Sequence, residues 1–275
     1  MIKSICAPMD YKGGQLSFEK PLLMGILNMT PDSFYDGGKY FDSDVAYRHA
    51  LQLVADGADI IDIGGASSRP GSTPIAAEEE LQRVLSLIRD VTPRLGVPIS
   101  VDSDKAEVME AALEAGAVII NDIGGLQRDP AMAGLAASYS APVVVMHSGI
   151  AGTYTDIIDD MLAFFHKSIE IGLSAGMKDN QFIIDPGVGF GKNTKENLEV
   201  LRRLSELRVL GRPILLAASN KRFIRETLAR WTGKLLVSNA AVTSLGVAAG
   251  ADIIRVHDVA AMAEASRLTA AILSE

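Results

Sequence analysis

The feature that most constrains the fold of this chain is an alternation, repeated eight times, of a short apolar run and a segment with helical periodicity. The apolar runs occupy residues 22–28, 58–65, 97–103, 117–125, 141–147, 181–187, 212–219 and 251–258. No Pro/Gly/Ser-rich linker and no shift in composition divides them. The pattern predicts one α/β domain over residues 1–275, a (β/α)8 TIM barrel with an N-terminal extension at residues 1–20. A doubly wound open sheet is the alternative, but its chain is usually shorter or carries a second domain.

Composition argues against several classes of protein. The formal net charge is −8 and there is no basic run, which argues against a surface for nucleic acid or for an anionic membrane. The one cysteine, Cys6, cannot form an internal disulfide, and no apolar run approaches the length of a membrane span. The sequence therefore predicts a cytoplasmic protein that binds neither nucleic acid nor a membrane.

Nearly every predicted strand ends in a residue with a polar side chain. These residues are Asn28, Asp62, Asp102, Asn121 with Asp122, His147, Asp185, Ser219 with Lys221, and Arg255 with His257. Any one of them alone would most often be a turn former or a helix N-cap. The active site of an α/β barrel lies at the C-terminal ends of its strands. Eight polar strand ends on one rim therefore predict a functional site.

The last predicted strand indicates an anion-binding pocket. Arg255 and His257 are two residues apart, so both point to the same side of a strand that is otherwise isoleucine and valine. Such polar residues are costly there unless an anion meets them. Lys221, just after the seventh strand, would lie beside them, where this fold usually binds phosphate. The three residues predict a site for phosphate or pyrophosphate; a buried ion pair of Arg255 with Asp258 or Asp252 is the alternative.

The other strand ends leave the chemistry open. Asp102, Asn121 and Asp185 suit a heterocycle with N–H donors and ring acceptors, but they also suit a metal ion or acid–base catalysis. The segment "DPGVGFG" at residues 185–191 is a weak imitation of a dinucleotide-binding fingerprint, because the next strand does not end in an acidic residue. We interpret it as a flexible loop that brings Phe190 and Lys192 toward a ligand.

Seven segments of the chain together form a pattern that is more specific than any single motif. They are "GILNMTPDSFYDGG", "IIDIGGASSRPGS", "VDSDKAEVMEAALEAGAVIINDIGGL", "VVVMH", "IIDPGVGFGKN", "SNKRFI" and "RVHDV". In order and spacing they resemble the dihydropteroate synthases, pterin-binding barrel enzymes, from about Leu22 to the C-terminal helix. The resemblance implies a transferase of folate biosynthesis. It would join 6-hydroxymethyl-7,8-dihydropterin pyrophosphate to p-aminobenzoate, with release of pyrophosphate and 7,8-dihydropteroate.

The resemblance also implies roles for individual residues. The pterin would be held by polar side chains at four strand ends: Asp102, Asn121, Asp185 and Lys221. Three apolar side chains would wall its pocket: Ile123, Met146 and Phe190. The pyrophosphate would meet Asn28, Arg255 and His257, with the cofactor Mg²⁺ bound near Asn28. The second mobile loop, which helps form the p-aminobenzoate site, carries Ser68, Arg69 and Pro70.

The family's reaction implies catalysis without a protein nucleophile. Dissociation of the C–O bond would leave a cationic pterin methylene, which the amine of p-aminobenzoate then attacks. Lys221, Arg255 and His257 would stabilise the leaving pyrophosphate, and Asp102 would stabilise the cation. The segment at residues 30–40, rich in glycine and aromatic residues, would be a mobile lid that excludes water. The alternative, in which its aromatics pack on the barrel rim, stays open for Tyr35, Tyr40 and Phe41.

Departures from the family pattern concern the second substrate. The second loop has Ala66 where an acid is usual and Ser68 where threonine is usual. After the seventh strand, Asn220 and Arg222 replace arginine and serine. Arg222 would lie near the carboxylate of p-aminobenzoate, where it would bind that group more strongly or crowd it. The alternatives are a methyltetrahydrofolate-dependent corrinoid methyltransferase and a catalytically silent pterin-binding homologue. A homodimer is an expectation from the family.

Overall fold

The computed structural model describes residues 6–29, 35–36, 40–41, 43–66, 75–229, 233 and 235–274. In chain order the strands are β1 (Met9–Tyr11), β2 (Gly14–Leu16), β3 (Leu22–Asn28), β4 (Tyr35–Asp36), β5 (Tyr40–Phe41), β6 (Ile60–Gly64), β7 (Ile99–Asp102), β8 (Ile119–Asp122), β9 (Val143–Met146), β10 (Phe182–Asp185), β11 (Leu215–Leu216) and β12 (Ile253–Val256). The helices are α1 (Ser43–Ala55), α2 (Ala77–Leu95), α3 (Ala106–Ala115), α4 (Met132–Tyr139), α5 (Ile157–Ser174), α6 (Thr194–Arg202), α7 (Arg222–Leu228), α8 (Leu236–Ala248) and α9 (Val259–Leu273). Short 3-10 segments lie at Asp179–Gln181 and Leu204–Leu210.

Eight parallel strands form the barrel, and the fold predicted from the sequence is confirmed. Their order is β10-β9-β8-β7-β6-β3-β12-β11, so the last barrel strand pairs with the first. A parallel bridge between Ile184 of β10 and Ile214, just before β11, closes the ring. All eight strands fall within the predicted runs; the structure shortens most of them at their ends.

The two faces of the barrel strands bury different sets of side chains, because successive residues of a strand point to opposite sides. The first residues of several strands point into the barrel and form one cluster, which includes Leu22, Ile60, Ile119, Leu215 and Ile253. The β1–β2 hairpin joins this cluster through Met9 and Leu16, together with Phe18. The N-terminal extension therefore closes the end of the barrel opposite the predicted site.

Candidate active site

The register of the barrel strands places several predicted site residues in one tier. Asn28 pairs with Gly64, Gly64 with Asp102, and Asp102 with Asn121. On the other side of the barrel, Asp185 of β10 pairs with Met146 of β9. The side chains of Asp102, Asn121, Met146 and Asp185 are all buried. The structure therefore brings these strand ends together at the C-terminal mouth of the barrel.

A buried ion-pair network lies across this mouth. Arg255 Nε donates to Asp62 Oδ2 at 2.6 Å, and Arg255 Nη2 donates to Asp102 Oδ2 at 2.6 Å. Asn121 Nδ2 also donates to Asp62 Oδ2, at 3.1 Å. Arg255 therefore forms a buried ion pair, as the alternative interpretation expected. Its partner carboxylates are Asp62 on β6 and Asp102 on β7.

The residues proposed for that alternative have other tasks. Asp258 caps α9 by accepting from the backbone N–H of Ala261 at 3.1 Å. Asp252 accepts from the backbone N–H of Ile214 at 2.9 Å, next to the bridge that closes the barrel. Among the described ion pairs, Arg255 therefore pairs with Asp62 and Asp102, and not with Asp258 or Asp252 as the alternative interpretation had it.

Asp62 was counted among the polar strand ends, but no role in the site was assigned to it from the sequence. Its side chain has 0% exposure, and its Oδ2 accepts from both Arg255 and Asn121. Its Oδ1 is buried and has no hydrogen-bond partner among the described residues. Asp62 thus connects a residue predicted for the pterin with one predicted for the pyrophosphate. The alternation of β6 was the available signal, because Asp62 lies two residues before Gly64 on the inward face.

The mouth shifts the protonation equilibria of its charged groups. Burial raises the pKa of Asp102 to about 7, although Arg255 acts against the shift. Burial also raises the pKa of Asp185. The pKa of Lys221 falls to about 8 because the side chain is desolvated and Arg255 is near. Desolvation acts against the charge of Arg255, but Asp62 and Asp102 outweigh it and raise its pKa. Asp102 and Lys221 can therefore change protonation near neutral pH.

Lys221 is held from two sides. Its Nζ lies 4.2 Å from the centroid of the Phe190 ring, a cation–π contact. The preceding residue, Asn220, has a φ of +58°. Its backbone N–H donates to Asn239 Oδ1 of α8 at 3.1 Å, and Asn239 Nδ2 donates to Asn220 Oδ1 at 2.9 Å. Asparagine tolerates this left-handed conformation better than most residues. The departure from the family pattern at Asn220 therefore suits its backbone.

The loop that follows β10 differs from its predicted form. Phe190 reaches the mouth and contacts Lys221. Lys192 does not reach toward a ligand, and that prediction is wrong. Its Nζ donates to the carbonyl oxygens of His147, Gly187 and Phe190 at 3.3, 3.0 and 3.0 Å. The ammonium is turned into the loop because these backbone acceptors would otherwise be buried without donors.

Two polar strand ends face away from the mouth. His147 has 1% exposure, and its Nε2 lies 3.0 Å from Asp160 Oδ1 on α5. Burial lowers the pKa of His147 to about 4, so its imidazole is neutral near pH 7. The Asp122 carboxylate accepts from the backbone N–H groups of Gly124 and Leu126 at 2.7 and 2.6 Å. Both residues stabilise the structure behind the barrel wall.

The remaining predicted residues lie at the rim or outside the described part of the chain. His257 is exposed, with its Nδ1 3.0 Å from Ser219 Oγ. Arg222 opens α7 with an 80% exposed side chain and an ion pair to Glu226 at 3.1 Å. Ile123 and Asn28 are half-buried. Ser68, Arg69 and Pro70 lie outside the described residues, as does most of the predicted lid apart from the β4–β5 pair.

Comparison with known proteins identifies the family. The family model described as pterin binding enzyme matches residues 24–257. The dihydropteroate synthase of Bacillus subtilis is 46% identical over 96% of this chain and 93% of its own length. The enzyme of the same name from Clostridium beijerinckii is 42% identical over 91% of this chain and 94% of its own. The chain belongs to the dihydropteroate synthase family. It is a transferase of the folate pathway, as the sequence predicted.

Solved structures of dihydropteroate synthases share the fold. The Clostridium difficile protein, in the presence of pteroic acid, matches with a TM-score of 0.90 and 45% identity over 94% of this chain and 98% of its own. The Xanthomonas albilineans protein with 4-aminobenzoic acid gives a TM-score of 0.91 and 40% identity over 98% of each chain. The same enzyme in complex with 7,8-dihydropteroate gives a TM-score of 0.89 and 37% identity, over 98% of this chain and 100% of its own.

Asn28, the residue predicted to lie near Mg²⁺, places one oxygen donor at the mouth. Asn28 ends β3 beside Gly64, and a Cβ atom on that glycine would lie 3.5 Å from Asn28 Oδ1 and 3.6 Å from Asp102 Cβ. The amide oxygen thus lies in the inward tier. Within the described residues no group of three His, Cys, Asp or Glu side chains could hold a metal. Mg²⁺ is commonly held by one or two protein oxygens together with substrate phosphates and water, and Asn28 Oδ1 would supply one such protein oxygen.

Proposed function

We propose that this chain condenses 6-hydroxymethyl-7,8-dihydropterin pyrophosphate with p-aminobenzoate to give 7,8-dihydropteroate and pyrophosphate. The observation that carries the proposal is the single network in which Arg255, a group for an anion, shares Asp62 with Asn121, a group for a heterocycle. One mouth is thereby equipped for both halves of the same substrate. Membership of the dihydropteroate synthase family supports this assignment.

The pterin half would bind the carboxylates and the amide of the inward tier. A pterin ring presents N–H donors and ring acceptors, which match Asp102, Asp185 and Asn121. All three side chains are buried, so hydrogen bonds to them are strengthened by the low local dielectric constant. Ile123, Met146 and Phe190 would complete the pocket as apolar walls.

The pyrophosphate half would bind the cations after β11 and β12. Arg255 offers the planar guanidinium that suits phosphate oxygens, Lys221 adds a second charge, and exposed His257 stands at the rim. Ser219 Oγ lies 3.0 Å from His257 Nδ1 and orients the ring at the rim of the mouth. When bound near Asn28, Mg²⁺ would neutralise negative charge on the pyrophosphate.

The chemical step transfers the pterin methylene group from a pyrophosphate oxygen to the amine nitrogen of p-aminobenzoate. The C–O bond breaks and its electron pair leaves with the pyrophosphate, so that positive charge develops on the pterin methylene. Arg255, Lys221 and His257 stabilise the leaving anion, and the Asp102 carboxylate stabilises the cation. The amine lone pair of p-aminobenzoate then forms the C–N bond, with loss of one proton. Pre-placed charges in a buried mouth lower the barrier because they need no reorganisation.

The second substrate would bind at the rim of the mouth. Ser68, Arg69 and Pro70 of the second loop, with Arg222 at the start of α7, are the proposed contacts for p-aminobenzoate. The Arg222 guanidinium is largely exposed and is held by Glu226 alone among the described ion pairs, so a substrate carboxylate can compete for it. The segment at residues 30–40 would close over the site as a lid.

A homodimer in the cytoplasm completes the proposal. Helices α8 and α9 pack side by side and expose several large apolar side chains: Val237 at 82%, Leu245 at 67%, Leu268 at 60% and Ile272 at 73%. A second copy covering this face would remove that area from water. Among the described residues no helix is both long and apolar enough to cross a membrane.

The test is pyrophosphate release from the dihydropterin pyrophosphate in Mg²⁺ buffer, with and without p-aminobenzoate, combined with mass spectrometry of the product. Release that depends on p-aminobenzoate and yields 7,8-dihydropteroate is expected. Pterin binding without any coupling would overturn the proposal in favour of a silent homologue. The methyltransferase alternative has no support from the relatives described above, which are all named dihydropteroate synthases.

A further inference from the structure

The loop after β10, residues 186–191, has a shape that depends on three glycines. Gly187, Gly189 and Gly191 have φ angles of +62°, +87° and +57°, in the left-handed region that favours glycine. A Cβ atom on Gly187 would lie 1.9 Å from the carbonyl oxygen of His147, and one on Gly191 would lie 1.9 Å from that of Gly149. The loop therefore approaches the segment after β9 more closely than any side chain permits.

This close approach buries backbone carbonyl groups, and Lys192 supplies their donors. Its ammonium has three N–H groups, and it donates to three carbonyl oxygens, those of His147, Gly187 and Phe190. Its side chain is only 5% exposed. One of these acceptors belongs to the residue after β9, so the ammonium ties the loop to the neighbouring strand.

The rest of the loop is fixed by side chains around it. Gly187 N–H donates to Asp185 Oδ1 at 2.7 Å, and Gly189 N–H donates to Asn197 Oδ1 at 2.6 Å. The Tyr154 hydroxyl donates to the carbonyl oxygen of Gly191 at 2.7 Å. Lys192 is the group among these that joins the two ends of the loop, because its acceptors include both Gly187 and Phe190.

A buried lysine at this position is costly. None of the ion pairs in the described part of the chain includes Lys192, so backbone dipoles provide its close contacts. Burial lowers the pKa of Lys192 to about 7, which records how strongly the site disfavours the charge. A methionine of similar length would avoid this cost. The three hydrogen bonds to backbone carbonyl groups are therefore what Lys192 contributes to the loop at this cost.

The loop shape determines the position of two groups in the mouth. Phe190 lies under the Lys221 ammonium at 4.2 Å. Gly189 lies against the Lys221 stem, since a Cβ atom there would be 3.0 Å from Lys221 Cδ. A small movement of the loop would therefore displace both the aromatic wall and the ammonium.

We propose that Lys192 is a positioning residue for the pterin pocket: its ammonium gathers three carbonyl groups and thereby fixes Phe190 and Lys221 without touching the substrate. This assignment rests on the proposed function for the identity of the ligand. The geometry of the loop is independent of it.

The test compares Lys192→Met with Lys195→Met. The first keeps the length of the side chain and removes its donors and charge; the second changes an exposed lysine three residues away on α6. Three quantities are measured for each variant. The Kd for 6-hydroxymethylpterin is measured by calorimetry, and the KM for p-aminobenzoate is measured at saturating dihydropterin pyrophosphate. The rate of backbone hydrogen exchange is measured over residues 186–191. We expect Lys192→Met to raise the pterin Kd roughly 10- to 100-fold and to speed exchange in the loop. The KM for p-aminobenzoate should change less than about twofold, and Lys195→Met should match the unmodified chain.

Two outcomes would overturn the assignment. One is an unchanged pterin Kd in Lys192→Met while loop exchange accelerates, since the loop would then not position the pocket. The other is an equal loss of both substrates, as a general loss of structure would cause. Lys192→Gln, which keeps two N–H donors, must give an intermediate pterin Kd, and it serves as the measured variant if Lys192→Met does not fold. A lack of turnover in the unmodified chain would refute the proposed function instead, and the exchange data would still test Lys192.

Discussion

Replacement of Asp62 by asparagine tests the network that joins the two halves of the mouth. The change keeps the shape of the side chain and removes one of the two carboxylates that hold Arg255. In the unmodified chain, Asp62 Oδ2 accepts from two donors, Arg255 Nε at 2.6 Å and Asn121 Nδ2 at 3.1 Å. The amide oxygen of an asparagine accepts hydrogen bonds less strongly than a carboxylate oxygen. Asp62→Asn should therefore loosen together Asn121, which is proposed to bind the pterin, and Arg255, which is proposed to bind the pyrophosphate.

The magnitude follows from the burial of the pair. Two opposite charges about 4 Å apart interact by about 4 kcal/mol at an effective dielectric constant of about 20. Asp102 still balances Arg255 in the variant, and the desolvation of the Asp62 charge is relieved. The free energy of unfolding should accordingly fall by about 1–3 kcal/mol, less than for a fully broken buried pair. Weakened hydrogen bonds to Arg255 and Asn121 should lower kcat/KM for the pterin substrate roughly 10- to 100-fold.

The assay is steady-state release of pyrophosphate, with urea unfolding on the same samples. The matched control is Asp59→Asn, one residue before the same strand, where the carboxylate accepts from Leu23 N–H at 2.9 Å and pairs with Lys20. This control should lose some stability and keep its kcat/KM. If Asp62→Asn folded normally and kept kcat/KM within twofold, Asp62 would not position Arg255 or Asn121, and the reasoning would fail.

Four further outcomes are expected. Asp185→Ala should abolish measurable pterin binding by calorimetry. Arg255→Ala should weaken the affinity for pyrophosphate more than the affinity for the pterin; an unchanged pyrophosphate affinity would refute the anion pocket. Burial lowers the pKa of Lys221 to about 8, so kcat/KM should fall as pH rises through that value, and Lys221→Arg should move the fall to higher pH in a pH–rate profile. Asn239→Ala should lower the free energy of unfolding by about 1–2 kcal/mol in urea, because Asn220 N–H loses its acceptor. Removal of Mg²⁺ by EDTA should weaken binding of dihydropterin pyrophosphate but not of 6-hydroxymethylpterin.

The barrel could be predicted because each strand is a short apolar run with clear limits. The predicted and observed bounds agree fully for β3, Leu22–Asn28, which is the longest strand. The largest difference is at β11, where the predicted run 212–219 shrinks to Leu215–Leu216. Apolar residues continue through Ala218 and stay buried, but the chain turns toward Lys221 there. A run of apolar residues predicts which residues are buried, but it does not predict where the hydrogen bonds between neighbouring strands end.

The inward or outward direction of each polar strand end was also contained in the sequence. Asn121 and Asp122 are adjacent on β8, so only one can face the mouth, and the same holds for Met146 and His147 at the end of β9. In both pairs the first residue belongs to the inward tier. Strand alternation would have removed Asp122 and His147 from the strand ends considered for the site.

The partners of Arg255 and Lys192 could not be read from the sequence. The Arg255–Asp62 bond joins residues 193 positions apart, and it exists because barrel closure sets β12 beside β3 and β3 beside β6. Lys192 binds carbonyl groups, which every residue has and which therefore leave no sequence signal. Its orientation depends on three left-handed glycines whose conformations follow from the packing of the loop.

Burial displaces the pKa values of the mouth, and the charge balance of the mouth affects how it would bind a pyrophosphate. Its carboxylates, Asp62, Asp102 and Asp185, outnumber the cations Arg255 and Lys221, although the proposed function requires a pyrophosphate to bind there. If every group were charged, the mouth would repel that ligand. The raised pKa of Asp102, about 7, allows this carboxyl to take up a proton and offset the excess. A bound divalent cation would have the same effect, because it replaces repulsion by attraction at the point where the leaving oxygen becomes negative. Only the ionised form of Asp102 would stabilise the positive carbon that the departing anion leaves, so the proposed step needs this carboxyl deprotonated.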